Sequence, residues 1–131
     1  MRRLNRILWL LSLLAVIPPT TGWGAVSETN FLLRNTGDLV ALCSATSADP
    51  MATAALNFCH GFGVGVTRVL QEDDAAAPSR RPMFCLPSSG LTRNQAVAEF
   101  LRWANADPSR MAMPATDGVA AFLAAQYPCR R

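Results

Sequence analysis

The spacing of apolar side chains along this chain predicts helices and no convincing strand. A short first helix is predicted to begin near Thr36, with Asp38 in its first turn, where a carboxylate complements the positive end of the helix dipole. Leu39, Leu42 and Cys43 follow at the i, i+3, i+4 spacing of one helix face. We therefore expect a short amphipathic helix over this segment.

A longer second helix is predicted from about Pro50 to Gln71. Asp49-Pro50 combines a capping side chain with a proline suited to the first helical position. The predicted core face consists of Ala55, Phe58, Cys59, Phe62, Val66 and Val69.

Three glycines, Gly61, Gly63 and Gly65, interrupt this helix, and each costs up to about 1 kcal/mol relative to alanine. Close packing of another helix would explain them. A phosphate-binding loop is disfavoured, because no strand precedes the glycines and no acidic residue follows at the required distance.

Two further amphipathic helices are predicted near the end of the chain. Thr92 and Gln95 form a capping-box pattern before the third helix, which is predicted to end by Asp107-Pro108. A fourth helix follows Pro114. The short connection favours an antiparallel pair. The predicted core positions of these helices are Val97, Phe100, Leu101, Ala104, Val119, Phe122 and Leu123, with Gln126 completing the spacing. The predicted fold class is an all-α bundle of four to five helices.

Residues 1–25 have the pattern of a secretory signal peptide. Arg2, Arg3 and Arg6 precede an apolar core from Ile7 to Ile17, and small residues follow Pro18-Pro19. The core is shorter than the about 20 apolar residues that span a bilayer. We expect cleavage near 22–25 and a single mature domain over 26–131, with an uncleaved anchor as the alternative. After cleavage we expect no membrane association.

Removing the leader also removes the excess positive charge. The formal charge of the whole chain is +3, whereas the mature chain contains nine Arg and nine acidic residues. A neutral chain gives no reason to expect nucleic acid or an anionic membrane as a partner. The chain has no lysine, which excludes chemistry based on a lysine side chain.

Four cysteines in a short exported chain predict two disulfides rather than a metal site or a reactive thiol. The cysteines are Cys43, Cys59, Cys85 and Cys129, which allow three connectivities. We favour Cys43 with Cys59 and Cys85 with Cys129. The first bridge would clamp a helical hairpin, the second would join the two ends of an antiparallel pair, and neither requires the chain to cross itself.

Few residues could support catalysis. His60 is the only histidine, and no Ser or Asp can be selected to complete a catalytic arrangement with it, so a structural or surface role is favoured. Glu72, Asp73 and Asp74 lack the alternation and closing Glu of a calcium loop. We expect these carboxylates to form a solvated helix end or a partner-facing patch, and we expect no enzyme activity, metal or cofactor.

A series of short motifs occurs in order from Asn35 to Cys129. The motifs are Thr36-Gly37-Asp38-Leu39 with Cys43, Phe58-Cys59-His60-Gly61-Phe62 with Gly65, Phe84-Cys85-Leu86-Pro87, a helix ending near Trp103, Pro114-Ala115, and Tyr127-Pro128-Cys129. Together they resemble the Rap/Tai immunity family. The resemblance implies a small all-helical periplasmic protein, commonly a homodimer. Such a protein binds a peptidoglycan amidase delivered by a type VI secretion system and protects the producing cell or its siblings.

The motifs do not specify which surface would meet the effector. Our candidate is an exposed loop over residues 72–81 that would occupy the substrate cleft of the amidase. The residues proposed for this loop are Glu72, Asp73, Asp74, Arg80 and Arg81.

Two further hypotheses concern association. A general periplasmic helper without a toxin partner is the alternative function. Met51, Met111 and Met113 are predicted either to form an adaptable apolar surface for such a role or to belong to the core. A symmetric dimer is expected, because four short helices cover apolar surface poorly. Gly61 and Gly65 lie one turn apart and could form either an internal helix contact or the dimer seam.

Overall fold

The computed structural model describes residues 25–130, and nearly all of the predicted leader lies outside this range. Its four α-helices are α1 (Thr36–Cys43), α2 (Ala52–Ala76), α3 (Arg93–Asn105) and α4 (Ala115–Gln126). Two short 3-10 helices, Glu28–Leu32 and Pro108–Ala112, precede α1 and α4. No strand occurs in this part of the chain. The predicted all-α fold with two intrachain disulfides is confirmed.

The short helix α1 lies at the centre of the core. Leu39, Val40 and Leu42 are almost completely buried, and α1 contacts the other three α-helices and both 3-10 helices. Leu39 and Leu42 were predicted to be core residues from their spacing. The burial of Val40 on the same helix means that α1 is surrounded rather than packed along one face, as expected for a helix that is apolar around most of its circumference.

The start of α1 is fixed by side chains that bond to its backbone. Asn35 caps the helix, because its side-chain oxygen accepts a hydrogen bond from the Asp38 amide at 2.9 Å. The buried Asp38 carboxylate accepts bonds from the Asn30 side chain and the Arg34 amide, both at 3.0 Å. Asp38 therefore joins the first 3-10 helix to α1.

Helices α3 and α4 form the predicted antiparallel pair. The capping box of Thr92 and Gln95 is present at the start of α3. Glu99 in the middle of α3 contacts Tyr127 just after α4, whereas Trp103 near the end of α3 has its ring 6.0 Å from that of Phe122, earlier in α4. The contacts therefore move backwards along α4 as they move forwards along α3, as in an antiparallel pair.

Helix α2 differs from its prediction at both ends. The Asp49 carboxylate accepts bonds from the amides of Val26 and Met51, so it fixes the turn before the helix, which then begins at Ala52. At its other end α2 continues to Ala76 and not to Gln71. Between Gln71 and Ala77 there is no glycine or proline to end the helix, and at Ala77 the following proline opposes a helical conformation.

The predicted core face of α2 is partly wrong. Ala55 and Cys59 are buried, and Phe62 and Val66 pack against the core. Phe58 and Val69, however, are 39% and 64% exposed. The buried stripe follows the side of α2 that faces α1 and α4, and Phe58 and Val69 lie to one side of it.

Both disulfides have the predicted connectivity. Cys43 at the end of α1 is bonded to Cys59 in α2, with 5.2 Å between their Cα atoms. Cys85 is bonded to Cys129, with 4.9 Å between their Cα atoms, and this bridge connects the segment before α3 to the residues after α4. All four cysteines are therefore paired within the chain.

Candidate functional site

The segment predicted as an effector-binding loop is divided between a helix and a turn. Glu72, Asp73 and Asp74 belong to the last turns of α2 and are not part of a loop. The Arg80 guanidinium lies 2.5 Å from Asp73 and 3.6 Å from Asp74. The hydrogen bond from Arg80 to Asp73 and the negative charge of Asp73 raise the pKa of Arg80 above its ordinary value. Arg80 therefore holds the end of α2 and is already paired.

The connection between α2 and α3, residues 77–92, is attached to the fold at several points. The Asp74 carboxylate accepts a bond from the Met83 amide at 3.0 Å. Phe84 is buried, and the Cys85 amide donates to the Tyr127 carbonyl at 2.8 Å. On either side of the buried Phe84 the connection presents the exposed side chains of Arg81, Met83 and Leu86.

The three glycines of α2 lie on two different faces. A Cβ atom at Gly61, Gly63 or Gly65 would meet no neighbouring atom within 4 Å. The close internal helix contact predicted for them is therefore not found within residues 25–130. Gly61 and Gly65 share the exposed side of α2 with Phe58 and Val69, whereas Gly63 faces a cleft.

This cleft has a volume of about 380 Å³ and lies between α2 and α3. Its apolar residues come from all four helices, from the first disulfide and from the connection. The lining residues are Leu39, Cys43, Cys59, His60, Gly63, Val64, Thr67, Arg68, Gln71, Leu86, Leu91, Arg93, Ala96, Val97, Phe100, Val119, Phe122 and Leu123. The cleft was not predicted from the sequence. The available signal was a second stripe on α2, with His60, Val64, Thr67, Arg68 and Gln71 at helical spacing opposite the predicted core face.

The structure brings together no catalytic or metal-binding group in the part of the chain that it describes. His60 lines the cleft, and no Ser or Asp side chain bonds to it within residues 25–130. No cluster of His, Cys, Asp and Glu in this range could hold a metal ion. Within the same range, no helix combines the length and the apolar character needed to cross a membrane.

Tyr127 and Glu99 form a polar contact at the edge of the aromatic cluster. The Tyr127 hydroxyl donates a hydrogen bond to the Glu99 carboxylate. Partial burial, together with the bond to Glu99 and its charge, raises the pKa of Tyr127 above its ordinary value. The ring of Tyr127 also contacts the ring of Phe122. We therefore assign the Tyr127–Glu99 contact a structural role.

The described residues thus define a small helical protein that is held by two disulfides, with exposed surfaces suited to a partner. Residues 35–129, well over half of the chain, match the sequence model of the Rap1a immunity proteins, and the chain belongs to this family. Comparison with curated proteins and with solved structures finds no match. Family membership makes the chain an immunity protein that binds a secreted effector, and such proteins are generally non-catalytic.

Proposed function

We propose that this protein is a periplasmic immunity protein that inhibits a peptidoglycan amidase delivered by a type VI secretion system. The match to the Rap1a immunity proteins over residues 35–129 carries the proposal. The two disulfides support export, since such bridges persist in oxidising compartments such as the periplasm. The basic and apolar pattern of residues 1–25 gives the route of export.

Inhibition is proposed to be steric, through the connection at residues 77–92 and the adjoining end of α2. Met83 is 46% exposed and Leu86 is 38% exposed, so this surface offers apolar contacts to a partner. Arg81 is exposed beside them, and it has no ion pair among residues 25–130, unlike Arg80. Because the connection is attached through Asp74 and the Cys85–Cys129 bridge, little conformational entropy would be lost on binding.

Co-expression with a secreted amidase encoded beside this protein tests the proposal. We expect the two proteins to co-purify from the periplasm, and we expect peptidoglycan hydrolysis to fall as the immunity protein is added. Full amidase activity at a saturating concentration of the immunity protein would reject the amidase as its partner.

A pair of matched variants tests the proposed surface. Met83→Glu places a charge among the apolar contacts of the connection and should weaken inhibition at least tenfold. Leu32→Glu makes the same change at a residue that is 67% exposed in the first 3-10 helix and should leave inhibition unchanged. Equal inhibition by both variants would remove the connection from the effector-binding surface.

We also propose that two copies of the chain associate through the exposed side of α2. This side carries the exposed apolar side chains of Phe58 and Val69, with Gly61 and Gly65 between them. Glycines at this spacing allow two helix backbones to approach closely, and nothing in residues 25–130 covers them.

The structure does not support the methionine surface that would have favoured the alternative function of a general periplasmic helper. Met51 and Met111 pack against the core, and Met113 is half-buried. Their positions agree with the predicted core role and not with an exposed, adaptable surface. The exposed apolar side chains lie instead on α2, on the connection and at Leu32.

A further inference from the structure

The cleft described above exists because α2 and α3 do not pack directly along each other. Both helices pack on α1 and α4, and the space between them remains open above that apolar floor. The volume of about 380 Å³ falls within the range of about 300–1,000 Å³ that is typical of ligand pockets. Most of its lining side chains are apolar, so a ligand there would displace water from apolar surface.

The charged side chains of the cleft are of one sign. Arg68 of α2 and Arg93 of α3 line it from opposite sides, and both are exposed, which places them at its opening. No Asp or Glu lines the cleft. Neither arginine has an ion pair within residues 25–130, whereas Arg34, Arg80 and Arg110 are each paired with a carboxylate. The charge of the opening is therefore complementary to an anion.

Gly63 keeps the cleft accessible from the side of α2. It lines the cleft, and a Cβ at this position would extend into open space. Ala96 is a second small lining residue, contributed by α3. Small residues on both helices leave room above the floor, where Phe122 and Leu123 are buried.

We propose that this cleft binds a single-chain amphiphile with an anionic head group, either a carboxylate or a phosphate. The apolar chain lies on the floor formed by Phe100, Phe122 and Leu123, and the head group remains at the opening beside Arg68 and Arg93. Binding releases water from an apolar surface, which is the main source of affinity for such a chain. The head group adds charge complementarity at an exposed position, where it contributes less.

Calorimetric titration of the purified protein with alkyl carboxylates below their micelle concentrations tests this proposal. We expect saturable binding of dodecanoate with one molecule per chain. Affinity should rise about fourfold for each methylene added from octanoate to dodecanoate, as the cleft is filled. Dodecyltrimethylammonium has the same chain and the opposite charge, and it should bind at least tenfold more weakly. Tighter binding of dodecanoate than of dodecyl phosphate assigns a carboxylate ligand, and the reverse assigns a phosphate ligand.

Substitutions at the cleft locate the binding. Gly63→Leu adds a side chain inside the cleft, where its Cβ meets no neighbouring atom within 4 Å, and should reduce dodecanoate affinity at least tenfold. Ala98→Leu adds an apolar side chain at an exposed position of α3 that does not line the cleft, and it should leave the affinity unchanged. Arg68→Gln and Arg93→Gln should each weaken binding about two- to fivefold, as expected for exposed charges. Circular dichroism of each variant checks that the fold is retained.

Three results would overturn the proposal: no saturable binding of dodecanoate or dodecyl phosphate, equal binding of the cationic amphiphile, or unchanged affinity in Gly63→Leu. If neither amphiphile binds and Gly63→Leu weakens amidase inhibition, the cleft belongs to the effector-binding surface and the proposal is also rejected. The titration uses the chain alone, so its outcome does not depend on the identity of any effector.

Discussion

The hydroxyl of Thr36 occupies the space in which a side chain at position 118 would begin. A Cβ atom built on Gly118 would lie 2.1 Å from Thr36 Oγ1 and 3.0 Å from its Cγ2. Thr36 is completely buried, and its hydroxyl donates a hydrogen bond to the Met113 carbonyl at 3.1 Å. The first residue of α1 therefore fits against α4 only because residue 118 has no side chain.

Gly118→Ala should destabilise the protein by about 1–3 kcal/mol, because the added methyl group overpacks a buried contact. Urea denaturation of the folded protein measures this change. Gly63→Ala is the matched control, since its Cβ meets open space, and it should stabilise α2 by up to about 1 kcal/mol. The cost of Gly118→Ala should be smaller in a Thr36→Ala background. Strict additivity of the two substitutions would contradict the contact.

Local sequence signals predicted the helices well because they act within one turn. The capping box of Thr92 and Gln95 defines the start of α3, as predicted. The end of α2 was placed too early, near Gln71, although the proline after Ala77 marks the position at which the helix stops. Asp38 was placed in the first turn of α1 from its charge alone. Its bonds to Asn30 and Arg34 depend on the fold of the preceding segment and could not be predicted from spacing.

The surroundings of the α2 glycines and the existence of the cleft could not be predicted from the sequence. The spacing of glycines shows which face of a helix lacks side chains. It does not show whether another helix, an open cleft or solvent lies opposite that face. Helical spacing placed Gly61 and Gly65 one turn apart on the same face, but it did not indicate that Gly63 lines a cleft. Likewise, Arg68 and Arg93 are far apart in the chain, and only the packing of α2 and α3 on a common floor brings them to one opening.

The two disulfides should differ in their resistance to reduction. Cys43 and Cys59 are buried, whereas Cys85 is exposed and Cys129 is half-buried. Mild reductant should therefore open the Cys85–Cys129 bridge first, as trapping with a thiol-alkylating reagent and mass spectrometry would show. Replacing Cys85 and Cys129 together by Ala should cost about 4 kcal/mol in the chain-entropy model, given their separation of 44 residues. Opening of the buried bridge first would contradict the relative exposure of the two pairs.

Asp38 should make the protein sensitive to acid. Burial alone raises the pKa of Asp38, but the bonds from Asn30 and Arg34 and the charge of Arg34 outweigh burial, so the net pKa is lowered. A lowered pKa in the folded state contributes stability above the ordinary Asp value of about 4, and this stability is lost as the pH falls below that value. Asp38→Asn should reduce stability at pH 7 by about 1–3 kcal/mol and flatten its dependence on pH below about 4. Urea denaturation at several pH values measures this. If the stability of Asp38→Asn depends on pH as strongly as that of the wild-type protein, the acid sensitivity belongs to other carboxylates.

Tyr127 is the only tyrosine, so tyrosinate absorbance reports on this residue alone. Its pKa is raised in the folded state, and the ordinary value is about 10. The stability linked to Tyr127 is therefore fully present below pH 10 and is lost as the pH rises above that value. In an alkaline titration the folded protein should ionise Tyr127 above pH 10, and in urea the midpoint should return to about 10. Glu99→Gln should lower the folded midpoint, and an ordinary midpoint in the folded protein would contradict the contact with Glu99.

Association through α2 is tested by light scattering at micromolar concentration. Wild-type protein should have the mass of a dimer, and Val69→Glu should shift it to the mass of a monomer, because a charge would be buried at the proposed seam. Leu32→Glu, at an equally exposed apolar residue elsewhere, should leave the dimer intact.

Gly65→Leu separates folding from association, since a Cβ atom at this position meets no atom of its own chain within 4 Å. The variant should therefore keep its helical circular dichroism and still lose the dimer, as two backbones could no longer approach closely. A monomer mass for the wild-type protein would reject the seam and leave this side of α2 exposed to solvent or available to the effector.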